Sequence, residues 1–145
     1  MKDQTIDYLL RTTWQAVVKM YNEQAAQFDT TMATGFALLS IDPETGTPST
    51  ALGPRMGMEA TSLSRTLKTM ENRGLIVRKP NPDDGRGVLI HLTEFGREKR
   101  EFSKEKVLQF NEAVRKQVPE EKLKHFYEVM TLINDLIANK KIFNH

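Results

Sequence analysis

From Ile6 to Phe28 the apolar residues return at Ile6, Leu10, Trp14, Val17, Tyr21, Ala25 and Phe28, with Leu9, Val18 and Met20 beside them. Steps of three and four line one face of an α-helix. No proline or glycine interrupts the run, so it predicts a long first helix over 6–28. A shorter helix is predicted over 31–41, with Met32, Phe36 and Leu39 inward. The segment from Asp42 to Pro48 holds two prolines and a glycine, which break helix and strand patterns alike and predict a loop. Ser49 is the expected cap of a third helix over 50–56. Pro54 removes an N–H inside it, so it should be distorted or only a turn or two long. Gly57 ends that helix. A fourth follows over 59–73, with Leu63, Leu67 and Met70 on its buried side and Gly74 as its stop.

The period then drops to two. Residues 75–79 read as a strand, 80–87 as a turn-rich loop and 88–92 as a second strand, which makes a hairpin with a polar tip. Thr93 caps a long charged helix running to about Gln117. Pro119 opens the last helix, with Glu120 and Glu121 in its first turn. Its stripe is Leu123, Phe126, Tyr127, Met130, Ile133 and Ile137. The predicted fold class is mainly α with a small β-hairpin wing: a winged helix-turn-helix flanked by long dimerisation helices. The outer stripes carry more large apolar side chains than the central unit can cover, which favours association. Packing of those helices on each other within one chain is the alternative.

Composition narrows the class. A chain of 145 residues, 39% hydrophobic and 28% charged, fits one globular domain. No apolar run approaches the ~20 residues of a membrane span, and the N-terminus lacks the basic and apolar regions of a secretion signal. A cytoplasmic protein without a membrane partner is the expectation. The absence of cysteine removes disulfides, thiolate metal sites and thiol redox switches. Net charge is only +2, but it is unevenly spread. Residues 1–48 hold 3 basic and 6 acidic side chains, residues 49–93 hold 7 and 4, and residues 94–145 hold 11 and 9. A relatively basic middle suits local contact with a polyanion, though a solvated surface has the same composition.

The candidate chemistry lies in that middle third. With Leu63 facing the core, steps of 100° turn Thr61, Arg65, Lys68 and Asn72 to within about 40° of directly away from it. Ser62 and Thr69 flank them. Hydroxyls can bond phosphates or base edges, and arginine can grip guanine through O6 and N7. An ordinary solvated helix face would look the same. At the hairpin tip Arg86 sits between Gly85 and Gly87, which permit close backbone approach to another surface. Asp84 is placed to orient its guanidinium.

Residues 57–93, GMEATSLSRTLKTMENRGLIVRKPNPDDGRGVLIHLT, resemble the core motif of the multiple-antibiotic-resistance regulator (MarR) family. The likeness rests on Ser64-Arg65, Leu67 and Glu71, Arg73-Gly74-Leu75-Ile76, Asp84-Gly85-Arg86, and Leu92-Thr93 ahead of Gly96. Glu59 departs from the family's usual serine cap, and Gly53-Pro54 interrupts the third helix. The resemblance implies a transcription regulator, commonly a ligand-responsive repressor, working as a homodimer on a pseudo-palindromic double-stranded DNA operator. It implies one domain over 1–145, with dimerisation helices at 1–30 and 94–145 and a DNA-binding unit over 31–93. DNA contacts are expected from Thr61, Ser62, Ser64, Arg65, Lys68 and Thr69, with Arg86 in a minor groove supported by Asp84. A small aromatic or phenolic effector is implied too, with ligand-binding residues unassigned.

An enzyme is not expected. No glycine-rich phosphate loop or nucleophile motif is present, so no catalytic residue, cofactor or metal is assigned. Glu121 and His125 stand one helical turn apart without a third ligand at a useful spacing, His91 reads as structural, and Trp14, Phe28 and Phe36 fit a core as well as a pocket wall. The alternative function is a winged-helix module for nonspecific DNA architecture or protein–protein contact.

Overall fold

The computed structural model describes residues 4–143, and the side chains of Asp84 and Arg86 lie outside the described residues. The order is α1 (Ile6–Ala26), α2 (Met32–Ser40), β1 (Thr47–Pro48), α3 (Ser49–Met56), α4 (Ala60–Asn72), β2 (Ile76–Asn81), β3 (Asp84–Leu92), α5 (Glu94–Gln117) and α6 (Glu120–Ala138). The three strands form one antiparallel sheet in the order β1-β3-β2. The chain divides into two compact units, residues 1–104 and residues 105–145.

In the first unit, side chains start the helices where the sequence offers short hydroxyls. Thr5 accepts from the Tyr8 N–H to open α1, and Thr31 accepts from the Thr34 N–H to open α2. The first helix ends at Ala26, two residues short of the predicted stripe. Asp29 there takes a left-handed φ of 57°, and the chain turns before Phe28 can continue the face. The core gathers Ala37, Leu38 and Ile41 from α2 and its end, Leu52 from α3, and Leu63, Leu67 and Met70 from α4. Leu75, Ile76, Ile90 and Leu92 complete it from the sheet.

Two expectations are corrected here. The segment 42–48 is not all loop: Thr47 and Pro48 pair with Ile90 and Leu89 of β3. A proline is tolerated because the strand lies at the sheet edge. The hairpin loop is also much shorter than 80–87. β2 runs to Asn81 and β3 begins at Asp84, leaving only Pro82 and Asp83 between them. The register shifts between the pairs Pro80–Val88 and Asn81–Asp84, so residues 85–87 of β3 have no opposite residue in β2 and form a bulge.

Ser49 is the first residue of α3 and not its cap; Pro48 holds the capping position without a side-chain hydrogen bond. Pro54 is accommodated inside an eight-residue helix. Pro119 likewise precedes α6. Among the described residues of the 105–145 unit none is fully buried: Val107, Phe110, Val114, Leu123, Met130 and Ile133 are half-buried. Leu132 and Ile137 remain 61% and 60% exposed. Among the described residues no helix is long and apolar enough to cross a membrane.

Candidate nucleic-acid interface

The middle of the first unit is a helix, a tight turn and a second helix, followed by a hairpin. α3 closes on Gly57, whose φ of 63° is left-handed and suits glycine. The Met58 N–H donates to the Gly53 carbonyl at 3.0 Å. Gly53 is buried beneath this turn, and a methyl group there would stand 3.3 Å from the Met58 carbonyl oxygen. α3 is tied back to α2 by Arg55, whose guanidinium donates to the Ser40 carbonyl at 3.1 Å. Sequence reasoning missed that contact, which joins residues too far apart for any helical period.

The fourth helix is oriented by Leu63, Leu67 and Met70, all buried, the apolar side its spacing predicts. Thr61, Ser62, Ser64, Arg65, Lys68 and Thr69 are all exposed. The Thr69 hydroxyl donates to the Arg65 carbonyl at 3.1 Å, leaving its oxygen lone pairs outward. The neighbouring charges are engaged: Arg78 of β2 lies 3.4 Å from Glu71, and Arg73 lies 4.0 Å from Asp29. Among the described residues no ion pair involves Arg65 or Lys68. The face thus presents two cations without an ion pair and three hydroxyls, those of Thr61, Ser62 and Ser64, as donors to phosphates and base edges, with the Thr69 oxygen left as an acceptor. Glu59, at the helix start, makes no side-chain capping bond.

The sheet holds the hairpin against this unit. Thr47 is 1% exposed, and its hydroxyl oxygen accepts from the Asp42 N–H at 2.9 Å. The His91 ring lies over Gly46, where a side chain of any size would meet it, so His91 is packed structurally. At the far end of β3, Thr93 joins three elements. Its hydroxyl donates to the Gly74 carbonyl at 2.6 Å and accepts from the Gly96 N–H at 2.9 Å. Arg86 has its backbone in the β3 bulge. Of the other pair considered, His125 faces Glu128 at 3.4 Å rather than joining Glu121. Among the described residues no three His, Asp or Glu side chains form a group able to hold a metal ion.

Residues 30–88 match the family model described as MarR family, a stretch that takes in α2, the helix-turn-helix, β2, the bulge and the first part of β3. Over these residues the chain is similar to the MarR family. The chain is 29% identical over 104 residues to the HTH-type transcriptional regulator SarZ of Staphylococcus saprophyticus, covering 69% of this chain and 71% of that protein. It spans 54% to 61% of the length of other curated relatives.

Its fold matches that of the S. aureus MepR–DNA complex with a TM-score of 0.83 at 21% identity, over 92% of this chain and 98% of the other. It also matches the PcaV transcriptional regulator of Streptomyces coelicolor in complex with its natural ligand. There the TM-score is 0.77 at 20% identity, over 91% and 93% of the two chains. At those identities the likeness establishes the winged helix-turn-helix fold. Family and relatives are transcription regulators and not enzymes.

Proposed function

We propose that this chain is a sequence-specific double-stranded DNA-binding regulator of the MarR family, acting in the cytoplasm as a homodimeric repressor on a pseudo-palindromic operator. The observation that carries the reading is the outward face of α4: Thr61, Ser62, Ser64, Arg65, Lys68 and Thr69 are exposed on a helix fixed by three buried apolar residues. The second helix of such a motif lies in the major groove. Residues 31–93 form the reading unit, and Arg86, supported by Asp84, enters the adjacent minor groove. The fold match to a regulator solved on DNA supports this assignment.

The homodimer rests on unpartnered apolar surface. On α1, Ile6 is 68% and Trp14 53% exposed, and α6 exposes Phe126, Val129, Leu132 and Ile137. Small proteins seldom leave that much apolar area in water. Residues 1–30 and 94–145 are the dimerisation segments in this reading.

A small aromatic or phenolic acid is the proposed effector. Within the first unit a cleft is lined by Phe28, Thr34, Arg73, Lys99, Phe102 and Ser103, which combines aromatic walls with two cations. As it stands it encloses little more than a water molecule, so a ligand must displace side chains. By reciprocity, an effector that weakens DNA binding tenfold must itself bind the DNA complex tenfold more weakly, a coupling of about 1.4 kcal/mol.

Selection from random double-stranded DNA at a stated salt concentration tests the function. One enriched motif with two-fold symmetry is expected, its half-sites about one helical turn apart. Binding without enrichment would favour the architectural reading, and no binding would favour protein–protein contact.

A further inference from the structure

Neither α3 nor α4 has a side-chain cap at its start, where Pro48 and Glu59 stand, and Pro54 leaves the Thr50 carbonyl without its helical N–H partner. The turn itself is closed by the Met58 N–H on Gly53 at 3.0 Å and a longer Gly57 N–H bond to Pro54 at 3.4 Å. An eight-residue helix with a missing bond has little stability of its own, so packing must hold this turn. Two methionines on either side of Gly57 supply it. Met56 and Met58 are half-buried and pack on the core cluster that contains Leu52, Leu63 and Met70. Met58 holds the position after the left-handed glycine, where this kind of helix ending normally makes a hydrophobic contact with the last helical turn.

We infer that Met56 and Met58 form an oxidation site for a hypohalous acid, and that sulfoxide formation there loosens the recognition helix and lowers DNA affinity. The inference rests on the DNA-binding reading above for its consequence, but not for its chemistry. In each step the thioether sulfur is oxidised by two electrons and gains an S–O bond. The O–Cl bond of hypochlorous acid breaks, and chloride and a proton leave. A flexible apolar side chain becomes a polar one. The sulfoxide oxygen then needs a hydrogen-bond partner, and burying it against leucines without one is costly. Met56 and Met58 are each partly exposed, whereas Met70 in the same core is fully buried. With no cysteine in the chain, the oxidant has no thiol to consume it first.

The test treats the full-length protein with hypochlorous acid at low molar excess, maps sulfoxides by peptide mass spectrometry and measures operator binding. Met56 and Met58 are expected to oxidise ahead of Met70, and operator affinity to fall by about tenfold, within the usual range of coupling between two sites. Treatment with methionine sulfoxide reductases should restore it. Met20, Met32 and Met130 are half-buried too, so the assignment turns on M56L/M58L, which keeps apolar volume and should bind alike before and after treatment. The single leucine variants serve if the pair fails to fold.

Wild type that binds normally with both sulfoxides in place would overturn the inference. So would a double variant that loses affinity as wild type does, or oxidation of Met70 before the turn methionines. If untreated protein selects no DNA, the functional reading fails first. Hydrogen exchange at 57–63 then decides: acceleration by oxidant in wild type but not in the double variant supports the site, and equal exchange sinks it.

Discussion

Replacing Thr93 by valine removes one hydroxyl and almost no volume, at the point where the reading unit joins α5. That hydroxyl accepts from the Gly96 N–H at 2.9 Å and donates to the Gly74 carbonyl at 2.6 Å, with the Leu75 carbonyl at 3.2 Å. The backbone N–H of Thr93 also reaches the Leu75 carbonyl, at 3.0 Å, and is untouched by the change. Loss of the cap costs about 0.5–2 kcal/mol. Loss of the bond to Gly74 costs about 0.5–1.5 kcal/mol, since that carbonyl is only partly able to turn to water. Together they predict destabilisation of about 1–3.5 kcal/mol and a fall in Tm of roughly 3–14 °C for a chain of this size. Thr93→Ser keeps the hydroxyl and should lose less than about 1 kcal/mol. Urea denaturation of the three proteins, with the slope checked for constancy, measures it. A valine variant within about 0.5 kcal/mol of wild type, or a serine variant as damaged as the valine one, would refute the reasoning.

Light scattering at micromolar concentration is expected to give twice the 16.6 kDa chain mass; a value near 16.6 kDa would leave the apolar faces of α1 and α6 unexplained. Arg86→Ala should weaken operator binding and flatten its salt dependence by about one unit of slope, with less change in base preference than a base-reading side chain would show. Asp42 is held below the ordinary carboxylate range by the Thr45 and Glu44 N–H groups. The turn is therefore supported above that range and loses support as pH falls through the lowered value. Asp42→Asn keeps an acceptor oxygen but cannot titrate, so its stability should fall less than that of wild type between about pH 6 and pH 3 in denaturation experiments.

The helices were legible because burial leaves a period. Leu63, Leu67 and Met70 announced the inner face of α4 before any coordinate, and with it the outward set from Thr61 to Thr69. The Thr93 cap was readable for the same reason, as a short hydroxyl ahead of an uninterrupted helix. Features with no period were not legible. A two-residue edge strand at Thr47-Pro48 has no alternation to detect, and its pairing with Leu89 and Ile90 is set some forty residues away. Residues 80–87 looked like loop because prolines and glycines dominate them. An edge strand and a bulge tolerate those same residues. Phe28 kept the helical spacing but lies beyond the end of α1 at Ala26, in the turn that Asp29 completes with its left-handed φ, and local pattern cannot register a chain reversal one residue later. Within the candidate site, the sequence revealed which side chains face outward. It could not show that Glu71 and Arg73 are engaged by Arg78 and Asp29 while Arg65 and Lys68 make no ion pair among the described residues, since those partners lie on other elements.

The claim at the centre of this account is that the outward face of α4 reads DNA bases, and Arg65→Ala measured on the selected operator tests it most directly. Arg65 is exposed and makes no ion pair among the described residues, so its removal should leave Tm within the small range of ordinary surface substitutions. Binding to the preferred operator should weaken by about 1–3 kcal/mol, and discrimination should relax at one position in each half-site while other positions keep theirs. A folded Arg65→Ala protein that binds the operator and its single-base variants with wild-type affinities would contradict the claim.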